Sequence, residues 1–338
     1  MIYPKFLKDK DVISLTAPSE GCFNDEIELN GFENGIKEFE KRGIKVKETP
    51  DCRKCKLGRS DSAQKRAEEF TNCFKDKETN AVLCYAGGEF LIEVLPYVDF
   101  NVIKENPKWF QGFSDPTSLL FYMTTALDIA TIYSNNFRKF AMTPWHVSLE
   151  NSLKILKGDL IEQHSFESYE NGRIEKVSGT EGYNLDTKAR WKNITGEDKI
   201  SLNGRLIGGC LDVLANIVGT RFDNVKNFIE KYKDDGIVWY FDNCDFTNEQ
   251  VVRVLWQLKE AGWFKYAKGF IFGRSANSVS CFDISFKDSV LASLKELNVP
   301  IIIDTDMSHK APASTFINGA IINIESENGK GKFTFELR

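Results

Sequence analysis

The stretch WFQGFSDPTSLLFYMTTALDIAT, residues 109–131, decides how the rest of the chain is read. A short apolar run ends at Gly112, Phe113 and Ser114, and a helix-like pattern begins at once with Asp115 and Pro116. A strand that turns directly into a helix is the building unit of a parallel sheet covered by helices. Asp115 suits an N-cap, and Pro116 suits the first helical position, where its missing N–H costs nothing. Ser114 is therefore expected just before a helix N-terminus, whose exposed N–H groups and dipole stabilise developing negative charge. It is either a helper in capping that helix or a nucleophile held at the corner.

Working outward, the same alternation fills the first half. DVISLTAP reads as a strand, EIELNGFENGIKEFEKRG as a helix, IKVKE as a strand and SDSAQKRAEEFTNCFKD as a helix; NAVLCYAGG is then a strand and EFLIEVLPYV a helix. Ligands of such sheets lie beyond the carboxyl ends of the strands, where Ser19, Gly87, Gly88 and Ser114 all fall. From about residue 133 to 203 the periodicity weakens and polar stretches dominate, as in a crossover between domains with some extended structure of its own. The pattern resumes with the helix-like GGCLDVLANIVGT and the strand GIVWYFDN. The helix TNEQVVRVLWQLKEAGWF, the strand AKGFIFGR, the helix SFKDSVLASLKELN and the strand VPIIIDT follow, and AIINIESENGKGKFTFEL reads as a closing hairpin. The expected organisation is an α/β domain over residues 1–150, a crossover linker over 151–200 and a second α/β domain over 201–338.

Composition narrows the function. The chain has 338 residues, a net charge of -5 and a pI near 5.5, so it lacks the basic footprint that a nucleic acid partner requires. No apolar run approaches the ~18 residues of a membrane helix, and the start carries no signal-peptide pattern; both point to a cytoplasmic protein without a membrane partner. Eight cysteines are scattered singly apart from Cys52 and Cys55. One CxxC without a second pair reads as reduced loop thiols rather than a metal site.

A serine nucleophile needs a base, and there are three histidines. His164 lies in the polar crossover and reads as a surface residue. His146 follows Trp145, and both are candidates for the wall of a pocket, although a structural role suits His146 better. His309, in VPIIIDTDMSHKAPAS, sits in a loop after an apolar strand, as Ser114 does, with Asp304 and Asp306 before it. In GIVWYFDNCDFTNEQ a strongly apolar strand ends at Asp242, placed to hold an imidazole in one tautomer and stabilise its protonated form. Asp242, Asn243 and Asp245 equally suit a loop that caps the following helix.

These pieces, in order, resemble the LD-carboxypeptidase family of serine peptidases, which includes murein tetrapeptide carboxypeptidases and microcin-immunity peptidases. The resemblance is carried by LTAPS near Ser19, YAGGEFLIEVLPYVD, GFSDPT around Ser114, NGRLIGGCLDVLANIVGT, FIFGR, and His309 followed by Pro312. It implies a flavodoxin-like N-terminal domain with a parallel sheet, a smaller α/β C-terminal domain, and an active site in the cleft between them. It also implies a triad of Ser114 as nucleophile, His309 as general base and acid, and an acid counted back from Arg253 to Asp242, where the family usually carries glutamate. Asp245 is the fallback acid. The implied oxyanion donors are the N–H groups of Gly88 and Asp115.

The function so implied is hydrolysis of an amide bond between an L-centre and a terminal D-amino acid of a murein peptide, without metal or organic cofactor. A homodimer is implied as well. Arg205, Arg274 and Lys310 are candidates for holding the substrate's terminal carboxylate. Two other readings use the same fold: detoxification of a peptide-nucleotide or other acyl-amide conjugate, and a catalytically silent binding module, which the aspartate at position 242 encourages.

Overall fold

The apolar runs of the first half fold as parallel strands joined by helices. The computed structural model describes all residues except Asn24, Arg173 and Glu197. Its chain divides into two units, Met1–Leu160 with Arg173–Tyr183, and Ile161–Gly172 with Asn184–Arg338.

In the first unit, β1 (Val12–Thr16), α1 (Glu26–Lys41), β2 (Lys45–Glu48), α2 (Ala63–Lys75), β3 (Thr79–Cys84), α3 (Phe100–Glu105), β4 (Trp109–Gly112), α4 (Thr117–Leu127), β5 (Thr131–Tyr133) and α5 (Val147–Leu156) follow one another. The strands lie in the order β2-β1-β3-β4-β5, all parallel. This is the flavodoxin-like order, whose switch point between β1 and β3 opens a crevice at the strands' carboxyl ends. β3 and β4 are buried almost throughout, which explains why they read as continuous apolar runs rather than alternating ones.

Two local expectations are corrected. EFLIEVLPYV does not form an α-helix; it makes two single turns of 3₁₀-helix, Leu91–Glu93 and Leu95–Tyr97. Pro96 lacks the N–H that a continuing helix needs and disfavours the helical conformation of the residue before it. The helix begins later, at α3, where the Asp99 carboxylate accepts from Asn101 N and Val102 N. Within the expected crossover, α5 is a regular helix capped by His146, whose Nδ1 accepts from Ser148 N at 3.1 Å.

The second unit contains β6 (Lys199–Cys210), α6 (Leu211–Ile217), α7 (Val225–Lys231), β7 (Ile237–Asp242), α8 (Asn248–Glu260), β8 (Ala267–Gly273), α9 (Phe286–Leu294), β9 (Ile301–Thr305), β10 (Ile321–Glu327) and β11 (Lys330–Glu336). Its sheet runs β11-β10-β6-β7-β8-β9; the short strand Gln163–His164 flanks β11, and Lys192–Asn193 flanks β9. β6 to β9 are parallel, and β10 and β11 form the expected hairpin through Asn328 and Gly329, both with positive φ. GGCLDVLANIVGT, read as helix, instead starts inside β6, and only Leu211–Ile217 is helical. The glycines explain the difference: a Cβ on Gly208 would lie 1.8 Å from the carbonyl oxygen of Tyr240. Gly208 therefore serves close strand approach rather than a helix start.

The segment expected as a linker is divided between the units. Gln163–His164 and Lys192–Asn193 join the second unit's sheet, whereas Ser178 O accepts from Asn30 Nδ2 and Thr180 O from Thr143 N in the first.

Candidate functional site

Ser114 stands where β4 ends, with φ of +71°. A left-handed backbone at a serine costs on the order of 1–3 kcal/mol and persists only where surrounding contacts enforce it. Those contacts are present. Asn136 pairs with both sides of the Phe113 peptide unit, accepting from Phe113 N at 2.8 Å and donating to Phe113 O at 2.9 Å. Ser114 N donates to the Tyr133 hydroxyl at 3.2 Å, and Ser114 O accepts from Thr117 N at 2.9 Å. The residue is thus fixed in a tight turn at the start of α4.

Asp115 departs from its expected capping role. Pro116, not Asp115, occupies the N-cap position of α4, and no side chain caps that helix. The Asp115 carboxylate turns instead to the loop after β1 and to the glycine loop, accepting from Ser19 Oγ at 2.5 Å and Leu91 N at 2.9 Å. Burial pushes its carboxyl up to about 6 despite these donors. The link draws the loops after β1, β3 and β4 together. Gly87 lies so close that a Cβ there would sit 3.3 Å from Ser114 Oγ, and a Cβ on Gly88, at φ +143°, would meet Ser19 Oγ at 2.4 Å. At Gly88 only glycine fits this approach. Among the described residues, the N–H groups of Gly88 and Asp115 donate to no backbone carbonyl.

In the second unit, β7 ends in the fully buried Asp242. Its Oδ2 lies 2.7 Å from His309 Nδ1, and its Oδ1 accepts from His309 N at 3.2 Å. Both the ring and the backbone of His309 are therefore held by one carboxylate, so the aspartate reaches the imidazole without the extra methylene of a glutamate. Burial works against charge on the imidazole, but the adjacent Asp242 carboxylate and the hydrogen-bonded Cys244 outweigh it, and the histidine's pKa is raised. Asp245 is exposed, and its backbone is engaged elsewhere, with N donating to Asp212 Oδ1 and O accepting from Asn277 Nδ2.

Asp212, near the start of α6, belongs to this arrangement although it had no role in the sequence reading. Its carboxylate accepts from Cys244 N, Asp245 N and Phe246 N, each at 2.9 Å. It thereby clamps the loop that leaves Asp242. The signal in the sequence was slight: an aspartate in the first turn of a short helix.

The remaining candidates separate by geometry. Trp145 is buried beneath Arg42, with its Nε1 donating to Phe140 O. Arg205 pairs across from Ile237, at the opposite end of β7 from Asp242, and its guanidinium is engaged by Asp235, Gly319 O and Arg338 O. Arg274 and Lys310 lie at the carboxyl ends of β8 and β9, on the same side as Asp242 and His309; Ser308 Oγ donates to Arg274 O at 2.7 Å. His164 is exposed beside Glu162. Cys52 is buried and Cys55 half-buried, both as free thiols. Among the described residues, no group of three or more His, Cys, Asp or Glu side chains is placed to hold a metal, and no helix is long and apolar enough to cross a membrane.

Family models of the LD-carboxypeptidase N-terminal and C-terminal domains match residues 13–134 and 203–324, the first containing Ser114 and the second both Asp242 and His309. The chain belongs to the LD-carboxypeptidase family. The microcin C7 self-immunity protein MccF of Escherichia coli is 24% identical over 311 residues, covering 88% of this chain and 86% of its own. YocD of Bacillus subtilis (strain 168) is 25% identical over 352 residues, covering 98% of each chain. An MccF-like protein from Bacillus anthracis strain Ames, solved as a crystal structure, superposes with a TM-score of 0.84 at 22% identity over 100% of both chains. The mixed α/β, two-domain architecture with its parallel sheet is thus that of the LD-carboxypeptidase family.

Proposed function

We propose that this chain is a serine LD-carboxypeptidase that hydrolyses the amide bond between an L-configured centre and a terminal D-amino acid, such as the last D-alanine of a muropeptide tetrapeptide. The observation that carries the proposal is the 2.7 Å contact between Asp242 Oδ2 and His309 Nδ1. It orients an imidazole as the base of a serine triad requires, although the acid is aspartate.

In the proposed reaction, Ser114 Oγ transfers its proton to His309 Nε2 and attacks the scissile carbonyl. The resulting oxyanion is held by Gly88 N–H and Asp115 N–H. His309 then protonates the leaving amine, which departs as the free D-amino acid. Water, deprotonated by the same ring, releases the acyl group and restores Ser114. The strained turn at Ser114 and the approach of the glycine loop through Gly87 support this assignment, since they hold the hydroxyl in one place at the start of α4.

The test is release of D-alanine from a purified muropeptide tetrapeptide by the native protein and by Ser114→Ala. Native release that falls by roughly 10⁴-fold or more in the variant is the expected result. Equal release by both proteins defeats the proposal. The likeness to MccF over 88% of this chain favours a second reading, the cleavage of an acyl-amide conjugate of a nucleotide. Turnover of such a conjugate, with no D-alanine released, selects that reading over the first.

A further inference from the structure

Arg274 is almost completely buried, yet two of its three guanidinium nitrogens, Nε and Nη2, have no hydrogen-bond partner among the described residues. The third, Nη1, donates to Asp306 Oδ1 at 2.6 Å and Asp304 O at 3.3 Å. The other oxygen of Asp306, Oδ2, is turned to different donors, accepting from Trp191 Nε1 at 2.8 Å and Phe166 N at 3.0 Å. The carboxylate of Asp304 pairs with Lys192 at 2.7 Å. Leaving charged donors buried and unsatisfied is expensive, and such groups in a folded protein call for a partner.

A second cation lies close by. Lys310, the residue after His309, is hydrogen-bonded to the neutral amide of Asn171 at 3.0 Å. Its pKa is lowered, first by burial and then by repulsion from Arg274. Two cations that repel each other, one presenting an unused pair of parallel N–H groups, match a single carboxylate in charge and shape: the Nε–Nη2 edge forms the two-pronged fork that takes both carboxylate oxygens. The ring of Tyr169 covers the guanidinium, 4.5 Å from Arg274 Cζ. Tyr169 is half-exposed and belongs to a two-residue strand, Ser168–Tyr169, which pairs with Thr187–Lys188 in a separate two-stranded sheet.

We propose that the Nε–Nη2 edge of Arg274, together with the ammonium of Lys310, seats the terminal carboxylate of the substrate's D-residue, and that Tyr169 is the cover this carboxylate displaces. The assignment rests on the hydrolytic reading above and adds to it the group that selects a free carboxyl terminus. Arg274 is held by its backbone to the end of β9, through Arg274 N to Thr305 O, and to the loop that carries His309, through Ser308 Oγ to Arg274 O. Substrate selection and the general base thus share one rigid segment.

The test is calorimetric titration of the full chain with N-acetyl-D-alanine, N-acetyl-D-alaninamide and inorganic phosphate, none of which requires turnover. The acid is expected to bind more tightly than the amide by about tenfold or more, and Arg274→Gln and Lys310→Gln to erase most of that difference. Tyr169→Ala is expected to tighten binding of the acid and leave the amide unchanged. Arg274→Gln also removes the partner of Asp306, so Lys310→Gln and Tyr169→Ala, which alter partly exposed side chains, keep the test decisive if that variant does not fold. Equal binding of acid and amide, a difference that survives in Lys310→Gln, or phosphate binding tighter than the acid overturns the assignment. Preferential binding of the acid without D-alanine release from the muropeptide upholds the subsite and refutes the hydrolytic reading alone.

Discussion

At His309 two opposing effects meet: burial disfavours the imidazolium, and the Asp242 carboxylate 2.7 Å away favours it. The carboxylate prevails, so the histidine is protonated at higher pH than a free imidazole, whose pKa is about 6.5. A general base acts in its neutral form. The expected profile of kcat/KM against pH therefore rises through a midpoint above that of an ordinary histidine, and Asp242→Asn moves the midpoint down while lowering the plateau. A midpoint unmoved by Asp242→Asn refutes the pairing. For stability the sign is reversed: a histidine whose pKa is raised by folding stabilises the native state fully below about pH 6.5, and that contribution disappears as pH rises through the folded value. Urea titrations of the native protein and Asp242→Asn across that window measure it as a gap that closes with rising pH.

The loop after β7 depends on an element that contributes no group to the proposed chemistry. Asp212 on α6 accepts three consecutive backbone N–H groups from residues 244–246. Asp212→Ala leaves them without their acceptor and is expected to lower unfolding free energy by about 1–3 kcal/mol, read from denaturant midpoints. It is also expected to reduce kcat for D-alanine release with little change in KM, because the loop positions Asp242 rather than the substrate. Asp212→Asn keeps one acceptor oxygen and should fall between the two. A parallel constraint acts on β6, where the backbone of Gly208 passes against Tyr240 O. Gly208→Ala forces β6 and β7 apart, and a loss of about 3 kcal/mol or more in a urea melt is the expected outcome.

Across the whole molecule, the chain leaves the first unit after Leu160, returns for Arg173–Tyr183 and leaves again. The return is fixed by backbone contact: Gly179, at φ +80°, lies so close to α1 that a Cβ would be 2.1 Å from Ile27 O. Gly179→Ala should raise hydrogen exchange in residues 174–183 while β1, β3 and β4 keep their protection; unchanged exchange in that segment refutes the anchoring role. No periodicity in the sequence reveals this route, because the segment is polar and its partners lie far away along the chain. For the same reason the 12-residue strand β6 was hidden behind its glycines, and Pro96 broke a helix that composition alone had extended. The sequence by itself determined the alternating α/β architecture and the strand ends on which Ser114, Asp242 and His309 fall, since burial on a parallel sheet writes itself into short apolar runs. It also indicated the family, through motifs in their order. Only the tertiary structure decided that Asp242 rather than Asp245 meets the imidazole, that Asp115 ties three loops together instead of capping α4, and that Arg205 serves the fold while two guanidinium nitrogens of Arg274 find no partner among the described residues. Those outcomes depend on distances between strands that are remote in sequence, and a linear pattern of residue types carries no such distances.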